Sequence, residues 1–179
     1  MVTNLLDVAR MQTAGVRLNR EWHSLEEIVG SALSRLGPAL SKRNVRTDLP
    51  SDLPLLEVDA ALIERVLVNL VDNALKYTPA GARILIGAKV VGESMYCFVE
   101  DNGPGLPPGD SEHLFEPFVR GRKESAISGV GLGLALCRSI VGAHGGTIHA
   151  ETPGPSGARF EIQLPLGSPP EVEAEAAYD

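Results

Sequence analysis

The sequence predicts an α/β fold, a two-layer sandwich in which a mixed sheet of about five strands carries three helices on one face. Three observations predict it. Apolar residues recur at helical spacing in three separate segments, short alternating segments lie between them, and glycine-bearing turns join strands in pairs. The 179 residues suffice for one domain, and a composition 44% hydrophobic but only 4% aromatic makes its core aliphatic. A net charge of −7 argues against a nucleic-acid or anionic-membrane surface. An acidic chain can still bind a polyphosphate where backbone N–H groups and a metal supply local positive potential. Cys97 and Cys137 stand far apart in apolar segments and read as reduced core thiols in a cytoplasmic setting. No apolar run approaches a membrane span and no signal-peptide layout opens the chain, so a soluble fragment without direct membrane contact is expected.

Taken in order, Leu5, Leu6, Val8, Ala9 and Met11 read as the end of a helix that stops near Gly15, so residues 1–15 are expected to be the remnant of an upstream helical domain. Val16 to Trp22 suits an edge strand. Ser24 caps a helix bearing Leu25, Ile28, Val29, Ala32 and Leu33, with Glu27 in capping-box position, and Gly37-Pro38 interrupts or ends it. Asn44 to Leu49 alternates as a second strand, and Pro50 to Pro54 is a turn. Asp59 caps the central helix, Leu62 to Tyr77, whose stripe of Ile63, Val66, Leu67, Leu70 and Ala74 demands a packing partner; Thr78-Pro79-Ala80-Gly81 ends it. Ile84 to Val91 and Met95 to Glu100 form a hairpin about Gly92-Glu93-Ser94. The irregular stretch from Asp101 to Ser128 is long enough to be functional or disordered. A glycine-rich turn from Gly129 opens a helix from about Leu132 to Ala143, closed by Gly145-Gly146, and Thr147 to Glu151 with Arg159 to Leu164 complete the sheet. The tail, 168–179, holds too little apolar surface to fold, leaving 16–167 as the folded body.

Several residues exceed what a core needs. On the central helix Asn69, Asn73 and Lys76 follow at i, i+4 and i+7, so two amides and an ammonium share one sector. Amide oxygens are hard donors suited to Mg²⁺, and a lysine one turn away can hold a phosphate; alternatively the amides satisfy buried backbone and the lysine is solvated. Glu100-Asp101-Asn102-Gly103-Pro104-Gly105 ends a strand where a carboxylate can accept from an exocyclic amine such as adenine N6, or forms an ordinary Asx turn. Gly129-Val130-Gly131-Leu132-Gly133 precedes a helix, the arrangement that wraps N–H groups around phosphates, although glycine turns are common there. Between them, Leu114-Phe115-Glu116-Pro117-Phe118 either anchors a lid or fills a satellite core. Arg120, Arg122 and Lys123 reach toward phosphates or form a solvated basic run.

In their order and spacing these four segments resemble the N, G1, F and G2 boxes of the histidine-kinase catalytic and ATP-binding domain, a member of the gyrase, Hsp90, histidine kinase and MutL ATPase family. The resemblance covers roughly Trp22 to Pro165, and the stretches 18–33 and 122–137 look like the KdpD family of potassium-responsive sensor kinases. It implies ATP and Mg²⁺ as ligands, with Asn73 holding the metal, Asn69 assisting, Lys76 on phosphate and Tyr77 bordering the nucleotide. It further implies Asp101 on the adenine amine, a pocket shaped by Gly103 and Gly105, and phosphates cradled by 129–133 under a lid spanning 107–128. One departure stands out: many relatives carry threonine where Ala158 follows Gly157.

The hydrolytic members of that family place a water-activating glutamate where this chain has Asn69, and an amide is no general base. Slow hydrolysis and transfer to a separate acceptor are expected instead. That acceptor, a histidine followed by an acid, is missing, since His23, His113, His144 and His149 precede Ser, Leu, Gly and Ala. The resemblance therefore implies a partner dimerisation domain of the same protein, a response regulator downstream, and a parent kinase in the inner membrane. A self-sufficient ATPase or protein-serine kinase of the same superfamily, and a nucleotide-binding or docking module without turnover, are the rival readings.

Overall fold

The computed structural model describes residues 17–109, 111–119 and 131–168. Among them lie strands β1 (Glu21–His23), β2 (Asn44–Asp48), β3 (Leu56–Val58), β4 (Arg83–Val91), β5 (Ser94–Asp101), β6 (Thr147–Glu151) and β7 (Ala158–Pro165), and helices α1 (Leu25–Leu36), α2 (Ala60–Tyr77) and α3 (Gly133–Ala143). The expected remnant over 1–15 and all of the tail beyond residue 168 fall outside these residues.

Five strands form one mixed sheet in the order β2-β4-β5-β7-β6, parallel between β2 and β4 and antiparallel elsewhere. Strand alternation decides which face is covered. Ile84, Ile86 and Ala88 of β4, Met95, Cys97 and Val99 of β5, and Ile162 and Leu164 of β7 are buried in the same core as the apolar stripes of all three helices. Ala88, Cys97, Ile162 and Ile148 form one continuous row across four strands. Asp101 lies on this covered face as well, at the end of β5 between Ile84 and Ala158. The opposite face is polar but ordered. Phe98 lies over Gly87, where any Cβ would collide with its ring, and Arg159 stacks on Phe98 at 4.4 Å while its Nε donates to Glu100 at 2.8 Å.

Helix α2 is the spine of the helical layer. Ile63, Val66, Leu67, Leu70, Val71 and Ala74 are all buried, and truncating any one of the leucines would cost about 2–5 kcal/mol. Asp59 caps it as expected, accepting from Leu62 N–H at 3.2 Å. The capping box expected at α1 does not form: Ser24 occupies the N-cap position with extended backbone but makes no side-chain cap bond. The first-turn acids Glu26 and Glu27 still favour the positive helix end.

The edge strand expected over 16–22 is confined to Glu21–His23 and leaves the main sheet, pairing antiparallel with β3. Three residues carry no readable period, so this pairing was invisible in the sequence. It is joined to the helical layer by a buried histidine. His144, only 2% exposed at the end of α3, donates from Nδ1–H to Ile140 O at 2.8 Å and accepts at Nε2 from Asp59 N–H at 3.0 Å. Asp59 Oδ2 in turn accepts from Asn19 N–H, and Arg20 donates to Ala143 O.

Only neutral imidazole fits both bonds. Burial first, then the Arg20 charge, hold the His144 pKa below the ordinary 6.5, against opposing pulls from Ile140 O and Asp59. The folded chain therefore binds fewer protons than the unfolded one below that value. Stability is complete above pH 6.5 and declines as pH falls toward the folded pKa. Melting curves from pH 7.5 to about pH 5.5 should show this decline, and His144→Gln should flatten it; an unchanged slope would contradict the assignment.

Candidate nucleotide site

The residues singled out by sequence converge along α2. Asn69 and Asn73 are half-buried and one turn apart. Asn69 Oδ1 approaches the start of α3, where a Cβ on Gly133 would lie 3.7 Å from it. Helix α3 has no side-chain cap, because Leu132 occupies its N-cap position. Its first N–H groups thus leave hydrogen-bonding capacity and positive potential beside an amide. The Asn69 Nδ2 is buried without a hydrogen-bond partner among the described residues, a state that calls for a ligand or water. The same side chain faces Cys137, whose thiol burial pushes up to about 12 despite the opposing influence of Asn69, so that sulfur is an inert neighbour.

At the far end of α2 the Asp101 turn closes in. Asp101 is 8% exposed, and Gly103 N–H donates to its Oδ1 at 2.8 Å. Burial raises its pKa above the ordinary 3.8, and Glu100 adds to the rise; the Gly103 and Ala158 N–H groups oppose it. An under-solvated carboxylate at the end of a sheet is primed to accept from an amine. Gly105, at φ 93°, packs its backbone against Gly157, where a Cβ would come within 3.3 Å of Gly157 O. Gly157, at φ 94°, abuts Asp101 O so closely that no side chain fits. Gly157, which precedes Ala158, shapes this turn through its backbone, a role that shows only in the fold.

Lys76 is exposed and pairs with Asp72 Oδ2 at 2.5 Å, a bond the sequence reading did not anticipate although the i, i+4 spacing allows it. Tyr77 is exposed beside it. Gly131, at φ 72°, accepts from Phe118 N–H at 3.0 Å and would bring a Cβ within 3.0 Å of Val119 O. Leu132 is buried. The two phenylalanines separate. Phe115 joins the main core, edge-on to Phe160, under Arg138, which is also bonded to Glu112; Phe118 is 63% exposed at φ 66°. Arg120, Gly129 and Val130 lie outside the described residues, as do residue 110 and residues 120–128 of the stretch expected to form a lid.

Glu64, a carboxylate on the same helix, is bound on its other side by α1: Ser31 Oγ donates to it at 2.7 Å and Arg35 Nη1 at 3.2 Å. It is therefore unable to reach the amide sector. Among the described residues no three His, Cys, Asp or Glu side chains form a metal-holding group. The donor set that remains, two amide oxygens beside an uncapped helix start, fits a metal that keeps most of its waters and shares phosphate oxygens, which is how Mg²⁺ is usually held. No helix among the described residues is long and apolar enough to cross a membrane.

Comparison with known proteins agrees with this geometry. Residues 58–168 match the family described as Histidine kinase-, DNA gyrase B-, and HSP90-like ATPase. The sensor protein KdpD of Escherichia coli is 53% identical over 97% of this chain, which spans 19% of that protein's length. The Acinetobacter baumannii histidine kinase AdeS superposes with a TM-score of 0.76 at 30% identity, covering 93% of this chain and 77% of that one. Full-length ShkA in complex with AMPPNP gives 0.81 at 26% identity, covering 94% and 35%. The chain belongs to the histidine kinase-, DNA gyrase B- and HSP90-like ATPase family, in its histidine-kinase form.

Proposed function

We propose that this chain binds Mg·ATP and presents the γ-phosphoryl group for transfer to a histidine on a separate dimerisation domain of the same protein. The observation that carries the reading is the meeting of Asn69 with the uncapped start of α3. Asn73 with Asn69 would hold Mg²⁺, which when bound offsets charge on the phosphate oxygens. Lys76 would exchange its surface pairing with Asp72 for phosphate, a step of small cost because such exposed pairs contribute only about 0.3–0.5 kcal/mol. Tyr77 borders the nucleotide. Asp101 accepts from the adenine amine in a pocket shaped by Gly103 and Gly105. The backbone of Gly129, Val130, Gly131, Leu132 and Gly133, with Arg120, cradles the phosphates beneath a lid over 107–128.

Position 69, where the hydrolytic members carry their water-activating glutamate, is an amide, Glu64 is held by α1, and Asp72 is paired with Lys76. That favours transfer over the rival ATPase reading. Residues 1–15 would then be the end of the phosphoacceptor hairpin, 16–167 the nucleotide-binding domain and 168–179 an acidic tail. Likeness to KdpD supports a cytoplasmic segment of an inner-membrane sensor kinase that feeds a KdpE-like response regulator in a potassium or osmotic response. Titration with a non-hydrolysable ATP analogue tests the binding step. Saturable binding that vanishes with EDTA is expected, and equal binding with and without Mg²⁺ would contradict it.

A further inference from the structure

The turn that carries Asp101 is braced from behind by residues that no motif marks. Thr78, 7% exposed, stands at the end of α2 in extended backbone. Its hydroxyl donates to Ala74 O at 2.5 Å and accepts from Arg43 Nη2 at 2.5 Å. The same Arg43 nitrogen donates to Thr78 O at 3.2 Å, so one guanidinium clamps both polar atoms of the residue. Arg43 is reached from the turn before β2, 35 residues earlier in the chain. Its Nε is buried without a hydrogen-bond partner among the described residues. A cation serving only the negative end of α2 gains its benefit while solvated and has no need to bury a donor.

The clamp fixes where the Thr78 methyl points. A Cβ on residue 103 would lie 2.6 Å from Thr78 Cγ2 and 3.0 Å from Asp101 Oδ1. Gly103 is therefore wedged between that methyl and the carboxylate, and its N–H holds Oδ1 at 2.8 Å. With Oδ1 committed to Gly103 and the Ala158 N–H also acting on the carboxylate, an amine must meet the lone pairs that remain. Their direction depends on the plane in which the Gly103 bond holds the carboxylate. If the methyl withdraws, the 103 peptide gains room and that plane is no longer fixed.

We infer that Thr78, clamped by Arg43, is a positioning residue that sets the aim of Asp101 at the base of the nucleotide and so contributes to selectivity for an amino-bearing purine. The inference rests on the reading of Asp101 as the base-recognising group. It assigns no contact between ligand and either Thr78 or Arg43.

The test compares Mg·ATP with Mg·tripolyphosphate by calorimetry on the full chain. Thr78→Ser keeps the hydroxyl and loses the methyl; Arg43→Gln removes the charged clamp; Arg43→Lys retains charge and donors. Thr78→Ser and Arg43→Gln should each weaken ATP about tenfold while tripolyphosphate changes by less than about twofold, and Arg43→Lys should restore most of the loss. Parallel losses for both ligands would overturn the inference, as would a lowered melting temperature with an unchanged ATP-to-tripolyphosphate ratio. Asp101→Asn separates the two levels. If it weakens ATP selectively while the Thr78 and Arg43 variants do not, the positioning role fails alone. If it leaves ATP unchanged, the base-recognition reading fails and the positioning role with it.

Discussion

Replacing Asn73 with alanine should weaken Mg-dependent ATP binding on the order of 100-fold, about 2.8 kcal/mol. The size follows from the donor set. On the proposed reading helix α2 would offer two amides to the metal, and no carboxylate cluster replaces them among the described residues, so losing one oxygen would remove much of the protein's hold. In the wild type EDTA should remove most affinity, whereas in Asn73→Ala it should remove little more, because the metal-dependent part is already gone. Affinity at the wild-type level in the variant would contradict the role. The fold should tolerate the change: Asn73 is half-buried beside the apolar stripe, and alanine is the better helix former.

Asp101→Asn should weaken ATP roughly 10- to 100-fold while leaving tripolyphosphate nearly unchanged, the effect of exchanging a charged acceptor for a neutral amide. Stability should move the other way. The Asp101 pKa is raised in the folded chain, so its ionised form is disfavoured there relative to the unfolded chain. The stability linked to this group is complete below its unfolded value of 3.8 and is lost as pH rises through the raised folded value. At neutral pH the ligand-free chain therefore bears a cost that asparagine removes. The variant should melt no lower than wild type without nucleotide and gain less from ATP. A large drop in its ligand-free melting temperature would show Asp101 to be structural. In the wild type, ATP affinity should also fall on acidification at a higher pH than an ordinary carboxylate would dictate.

The parts of this molecule legible in the sequence were those written in short-range pattern. The stripe of α2 with Asn69, Asn73 and Lys76 beside it, the β4–β5 and β6–β7 hairpins, and the Asp101 turn all follow from spacing and turn chemistry within about twenty residues. What stayed hidden depends on contacts between distant segments. The β1–β3 pair is three residues long on each side and declares itself only when the chain entering at Asn19 meets Asp59. The clamp of Arg43 on Thr78 spans 35 residues, and Thr78 by itself reads as nothing more than a helix end. Local rules also over-predicted. Ser24 and Glu27 have capping-box spacing, yet the box does not close. Lys76 is a separate case: it rests on Asp72, the nearest carboxylate on its exposed helix turn, a pairing that the proposed phosphate contact would replace.

On the proposed reading this chain is the nucleotide-binding half of a phosphotransfer pair. The most direct measurement is transfer from γ-labelled Mg·ATP, with and without a separately produced histidine-hairpin domain of the same kinase, scoring acid-labile phosphoprotein against free phosphate. Label on the hairpin that requires this chain, with little free phosphate released by the chain alone, is the predicted result. Free phosphate from this chain alone, with the hairpin unlabelled, would contradict it and identify a self-sufficient ATPase.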